Sequence, residues 1–257
     1  VMGAQVIDSM VHPEFQGKGL FGQMGDHCFA AMAARGYEVL YGFPNDSAYR
    51  GCTYRLNWNH MGQIPLWVRP LKWVGKWLPG SQANEMLSHD MPDAAALNAL
   101  LAQTPPPPRS NSVLRDAAWL DWRYDPRGIR HFREDSPRSY HWHALYDDAK
   151  ALQAFCVWGV LDCGDAALCE WYGLSQEAKR RVLRDAIAKA TGDELRLFRA
   201  YRKLAGPDRS LLKLGFMPLL GRLGTRFIVR HLTANNPGGC IQRFDRWQIT
   251  GGDMDTQ

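Results

Sequence analysis

The chain has 257 residues, of which 46% are apolar, 22% charged and 11% aromatic. That composition excludes disordered, collagen-like and coiled-coil proteins, and the length allows one large domain or two small ones with a real core. The 31 basic and 26 acidic residues leave a formal charge of +5, which suits phosphate-bearing ligands but is too diffuse for a nucleic-acid binder.

In chain order, Val6 to Val11 alternates and then turns apolar, predicting a strand that His12-Pro13 closes. Gln16-Gly17-Lys18-Gly19 follows, then a helix with Phe21, Met24, Cys28 and Ala31 on one face, stopped at Gly36. A second strand over 37–43 runs into Pro44-Asn45-Asp46-Ser47, a turn that starts a helix over 48–56. Strand-like residues return over 61–68. Residues 79–112 read as a linker that carries a short Ala/Leu-rich helix near 93–102 and ends in the run Pro105 to Pro108.

That linker divides the chain into 1–78 and 113–257. The second part predicts strands at 141–146, 152–160 and 166–174, a helix at 176–190, a strand at 195–200, a helix at 207–214 and strands through Val229. Val11 to Trp58 in the first part and Leu174 to Phe216 in the second span 47 and 42 residues. This reads as an internal repeat of one α/β unit.

The glycine loop carries the chemistry. Without side chains at 17 and 19 the backbone can aim successive N–H groups into one concavity. The next helix adds its open first-turn amides and the positive end of its dipole, and Lys18 adds charge at the rim. The result suits a pyrophosphate. No Gly-x-x-x-x-Gly-Lys-Ser/Thr loop is present, and the third glycine and later acidic residue of a dinucleotide fingerprint are missing.

Val11-His12-Pro13-Glu14-Phe15-Gln16-Gly17-Lys18-Gly19-Leu20-Phe21 resembles the acyl-CoA-binding motif of the GCN5-related N-acetyltransferase (GNAT) superfamily. That motif is Gln/Arg-x-x-Gly-x-Gly/Ala after a strand end; Gln16 and Gly19 match, and Phe21 departs from the small final residue. Arg55-Leu56-Asn57-Trp58 and Lys213-Leu214-Gly215-Phe216 resemble the family's Lys-Leu-Gly-Phe/Trp helix end. The resemblance implies a mixed-sheet α/β fold of two tandem units, the first incomplete at its N-terminus and the second degenerate. It implies direct transfer of an acetyl or other acyl group from CoA to the amine of a small molecule or peptide, with no metal.

By the same resemblance, Val11 would pair with the pantetheine arm, and the amides of Gln16, Gly17, Lys18, Gly19, Leu20 and Phe21 would hold the pyrophosphate. Asn45 would contact the cofactor. A tyrosine in the next helix would protonate the departing thiolate; counting from Asn45 its place falls on Cys52 or Thr53, so Tyr54 qualifies only if the helix carries an insertion. Asp8 and Glu14 are the local carboxylates for a general base, and Asp8 is the one assigned. The second unit lacks the loop, having Gly173-Leu174-Ser175-Gln176-Glu177-Ala178 in its place, and would complete the acceptor cleft or an interface.

The first strand falls almost at residue 1, where the family has several earlier elements. That leaves its sheet to be completed by preceding residues or by another chain, as in a homo-oligomer. The mixture of Trp67, Arg69, Lys72, Trp73, Lys76 and Trp77 reads as a packed linker, and Trp119, Trp122, Arg123 and Tyr124 as a packing face. Neither membrane nor nucleic acid is an expected partner. Six cysteines without a zinc spacing or a Cys-x-x-Cys pair read as reduced thiols in a cytoplasmic protein. Two other readings stay open: a non-catalytic acyl-CoA-binding scaffold, and a peptidyltransferase-like enzyme using charged tRNA.

Overall fold

The computed structural model describes residues 1–7, 9–71, 86–125, 139–203, 210–219, 224–232 and 241–254. Strand β1 (Gly3–Gln5) and β2 (Val39–Gly42) pair in parallel across helix α1 (Leu20–Ala34). Helix α2 (Asp46–Arg50) continues as a π-helical turn over Gly51–Arg55 and leads to β3 (Asn59–Ile64) and β4 (Leu66–Pro70). Next come β5 (Leu87–Ser88), α3 (Ala94–Gln103), α4 (Ala117–Tyr124), β6 (Tyr140–Tyr146), β7 (Leu152–Val160), β8 (Ala166–Gly173) and α5 (Gln176–Gly192). Strands β9 (Leu197–Tyr201), β10 (Met217–Leu219) and β11 (Thr225–His231) complete the sheets.

The strand expected over Val6–Val11 is instead Gly3–Gln5. Its last rung is the bond from the Val6 N–H to the Tyr41 carbonyl at 2.9 Å. Beyond it the chain leaves β2 for a 3₁₀ turn over Pro13–Phe15, because His12-Pro13 cannot continue a ladder. The helix expected over 207–214 is described only from 210 on and holds a 3₁₀ turn at Leu212–Leu214.

The parallel β1–α1–β2 unit recurs as β8–α5–β9, with Ala166–Leu168 facing Phe198–Ala200. Helix α5 forms because Val182, Leu183, Ala186, Ile187 and Ala190 recur on one face and bury against the sheet. The two units exchange strands. β4 lies between β10 and β9 in a seven-stranded sheet, order β10-β4-β9-β8-β7-β6-β5, while β11 lies between β2 and β3 in a four-stranded one, order β1-β2-β11-β3. Pro65 alone separates β3 in one sheet from β4 in the other.

α1 covers the Leu40 face of the small sheet, with Phe29, Leu56, Trp58 and Ile228. The Val39 face packs on Ile241, Trp247 and Ile249. α5 covers one face of the large sheet, and α3 and α4 the other. Within the stretch expected to be a linker, β5 pairs with β6 and α3 buries Leu97 and Leu100. Trp67 and Arg69 lie in β4, and Arg69 is buried with its guanidinium donating to the Leu214 carbonyl. Lys72, Trp73, Lys76 and Trp77 lie outside the described residues. Among the described residues no helix is long and apolar enough to cross a membrane.

Candidate functional site

The two parallel pairs part at corresponding places, but the loops that follow differ. After β1, Gln16 donates its Nε2–H to the Val11 carbonyl at 3.0 Å and closes the turn. Gly17 and Gly19 both have positive φ, 75° and 77°, a conformation that glycine adopts without penalty. A Cβ at Gly17 would meet nothing within 4 Å, and one at Gly19 only the end of Gln23 at 3.9 Å. Open space therefore surrounds both glycines. Gly19 is the N-cap of α1 and supplies no side-chain cap, so the first-turn amides of Leu20, Phe21 and Gly22 keep the open donors of a helix start. Lys18 Nζ stands 4.9 Å from the Phe15 ring centroid.

After β8 the corresponding helix start is capped by its own side chain. The Ser175 hydroxyl accepts from the Ala178 amide at 3.0 Å, and Gln176 accepts from Ser210 at 2.8 Å.

The α1 start is fixed by close packing. A Cβ at Gly51 would come within 2.8 Å of the Phe21 ring, one at Gly22 within 2.6 Å of Arg55, and one at Gly25 within 2.6 Å of Leu56. The larger residue at 21 is thus housed by Gly51, away from the loop. Asn45 caps α2, accepting from the Ala48 amide at 2.8 Å, which leaves its NH2 group as the donor available to a ligand. Burial pushes the Cys52 thiol up, and Thr53 donates to the Tyr49 carbonyl at 2.8 Å. Tyr54 is 82% exposed on the π-helical turn, the form an inserted residue gives a helix. Asp8 lies outside the described residues.

A cavity of about 1100 Å³ opens on the sheet face opposite α1. Val39, Tyr41, Trp171, Tyr172, Trp247 and the proline run's Pro105 and Pro106 line it. At its wall sits a buried charge cluster that sequence reading missed. Arg115 donates to Glu170 at 3.0 Å, Asp253 at 2.7 Å and Thr250 at 3.2 Å, and stacks 4.0 Å from the Trp119 centroid. Tyr124 donates to Glu170 at 3.2 Å. A lone Glu inside the apolar strand Ala166–Gly173 was the one available signal.

Arg115 bridges two carboxylates here. Burial works against the Arg115 charge, but Glu170 and Asp253 outweigh it and hold the proton more tightly than in water. Burial also raises the Glu170 pKa above its ordinary 4.5, with Arg115 opposing. A raised carboxyl pKa contributes stability fully present below the unfolded value and lost as pH rises through the folded one. Glu170→Gln, which keeps the neutral form, is expected to gain thermal stability relative to the parent as pH rises from 4.5 towards 8. Parallel melts across that range check it; a constant difference would contradict the shift.

A parallel strand pair followed by an open glycine loop and helix start stands in the same chain as a second parallel strand pair. Solved structures of GNAT proteins share this α/β fold. The chain is similar to a conserved protein of unknown function from Enterococcus faecalis, described as a probable N-acyltransferase (TM-score 0.57, 13% identity, 86% of this chain and 52% of that one). It is similar to a tandem GNAT protein from the clavulanic acid biosynthesis pathway (0.55, 15%, 91% and 77%). It is also similar to Saccharomyces cerevisiae N-myristoyltransferase with bound myristoyl-CoA (0.55, 12%, 86% and 60%). At these identities the likeness establishes the fold, and the chain spans about half the length of the first of these proteins. No family model matches the sequence, and no curated protein does.

Proposed function

We propose that this protein binds an acyl-CoA at the 16–21 loop and transfers its acyl group to an amine. The observation that carries this reading is the contrast between the two helix starts. The one at Gly19 has no side-chain cap and borders open space, whereas at Ser175 the hydroxyl already occupies the Ala178 amide. Amides from Gly17 to Phe21 hold the pyrophosphate, with Lys18 at its edge. Val11 and Asn45 flank the pantetheine, and the thioester lies in the gap beyond the Val6–Tyr41 rung. The acceptor enters from the cavity on the opposite sheet face, which the second unit helps to wall.

In that arrangement the amine attacks the thioester carbonyl, the C–S bond breaks, and the thiolate takes a proton from Tyr54. Its turn packs against the first turn of α1 through Gly51 and Arg55. Asp8, two residues past Val6 in the sequence, takes the ammonium proton.

Calorimetry with acetyl-CoA and longer acyl-CoAs, followed by thiol release over an amine panel, tests the reading. Absence of CoA binding rejects it. Tight binding without turnover would make the protein a binding module. Tyr54→Phe and Asp8→Asn are each expected to lower kcat by roughly 100-fold or more while leaving the CoA Kd within about twofold. An unchanged kcat would remove that residue from the mechanism.

A further inference from the structure

We propose that His89, His143 and Asp185 form a binding site for a divalent zinc-type metal ion, independent of the acyl-CoA reading. The three come from separate elements: His89 follows β5, His143 lies in β6 and Asp185 in α5. Asp185 is 42 positions from His143 and 96 from His89, so no local spacing announces the group. The fold brings His143 Nδ1 to 2.7 Å and His89 Nε2 to 2.8 Å of the same oxygen, Asp185 Oδ2. The ligand atoms of the three side chains all lie within 4.8 Å of one another.

Two imidazoles and one carboxylate are a donor set that zinc favours, and three protein ligands leave one position for water or another ligand. Metal–ligand bonds of about 2.0–2.2 Å in a tetrahedron set the donors about 3.3 Å apart. Seating an ion therefore opens the two His–Asp185 contacts by about half an ångström and draws in the donors that lie up to 4.8 Å apart, a movement of about 1.5 Å. The exposed His89 can supply it: its side chain is 63% accessible, and Asp185 is 18% accessible.

The inner ligand is already held. His143 is buried and lies near-parallel to Trp158, their centroids 6.2 Å apart. Its cross-strand partner Cys156 is directed elsewhere, its thiol donating to the Val182 carbonyl at 3.6 Å. The fourth position thus falls on the His89 side, towards solvent. An ion there would tie α5 to the β5–β6 edge of the large sheet.

The test uses chelator-treated full-length protein carrying Cys28→Ser and Cys163→Ser, which removes two exposed thiols of a kind that zinc favours. Titration with ZnCl2 is expected to show one equivalent bound and a rise in Tm of about 5–10 °C at a hundredfold excess over Kd, with no rise in MgCl2. Co2+ should give the d–d absorption of a four-coordinate site. His89→Ala, at an exposed position, and Asp185→Asn should each weaken Zn2+ binding at least tenfold. Absence of zinc binding by the parent, or equal binding by both variants, would overturn the proposal and leave a proton-bridged His–Asp–His array.

Discussion

Replacing Gly17 by Asp is expected to weaken acetyl-CoA binding by roughly 30- to 100-fold while leaving the fold intact. The position has φ of 75° and open space where a Cβ would stand. Asp and Asn tolerate that backbone region better than other side chains, so the conformational cost is about 1 kcal/mol for either. Only Asp adds a charge. A carboxylate about 5 Å from a doubly charged pyrophosphate at a largely exposed site costs about 2–3 kcal/mol of binding, and each 1.4 kcal/mol is about tenfold. Gly17→Asn should therefore bind within a fewfold of the parent. Calorimetry on the two variants separates charge from shape. If Asp and Asn bind CoA equally, the pyrophosphate does not rest at this loop.

Replacing Arg115 by Met should cost about 3–5 kcal/mol of stability, which lowers Tm by roughly 10 °C or more in a protein of this size. The change takes from Glu170 and Asp253 the arginine that bridges them; both are buried, at 0% and 4% exposure. It also removes the stacking on Trp119. Most of the loss comes from stranded carboxylates and not from the pair's own strength. Adding Glu170→Gln to Arg115→Met should then restore a large part of it. A double variant no more stable than the single one would show that packing, not charge, sets the cost.

Much of the α/β order was legible because it rests on local patterns. The five-residue stripe on α5, the alternation of Val39 and Tyr41 against Leu40, and the Gly17–Gly19 turn are all written within one or two helical turns of sequence. Side-chain capping explains what was less visible. A serine at 175 and a glycine at 19 both permit a helix start, yet one caps a first-turn amide with its own side chain and the other caps none.

Other features were not local and so not legible. Nothing near Leu66–Pro70 says that it lies between β9 and β10, since its alternation fits either sheet. The linker reading of 79–112 missed that α3 packs on the large sheet, because a proline run marks an extended chain but not what it lies against. Arg115, Glu170 and Asp253 are separated by 55 and 138 positions from the arginine, and the two histidines meet Asp185 only across three elements.

The sequence by itself determined the two α/β units and the glycine loop, because backbone preference and short-range periodicity act between neighbours along the chain. The tertiary structure decided which strands each sheet takes from the other unit, where the cavity opens and which buried charges find partners. Burial removes water from groups distant in sequence, and only the packed arrangement can supply the contacts that replace it.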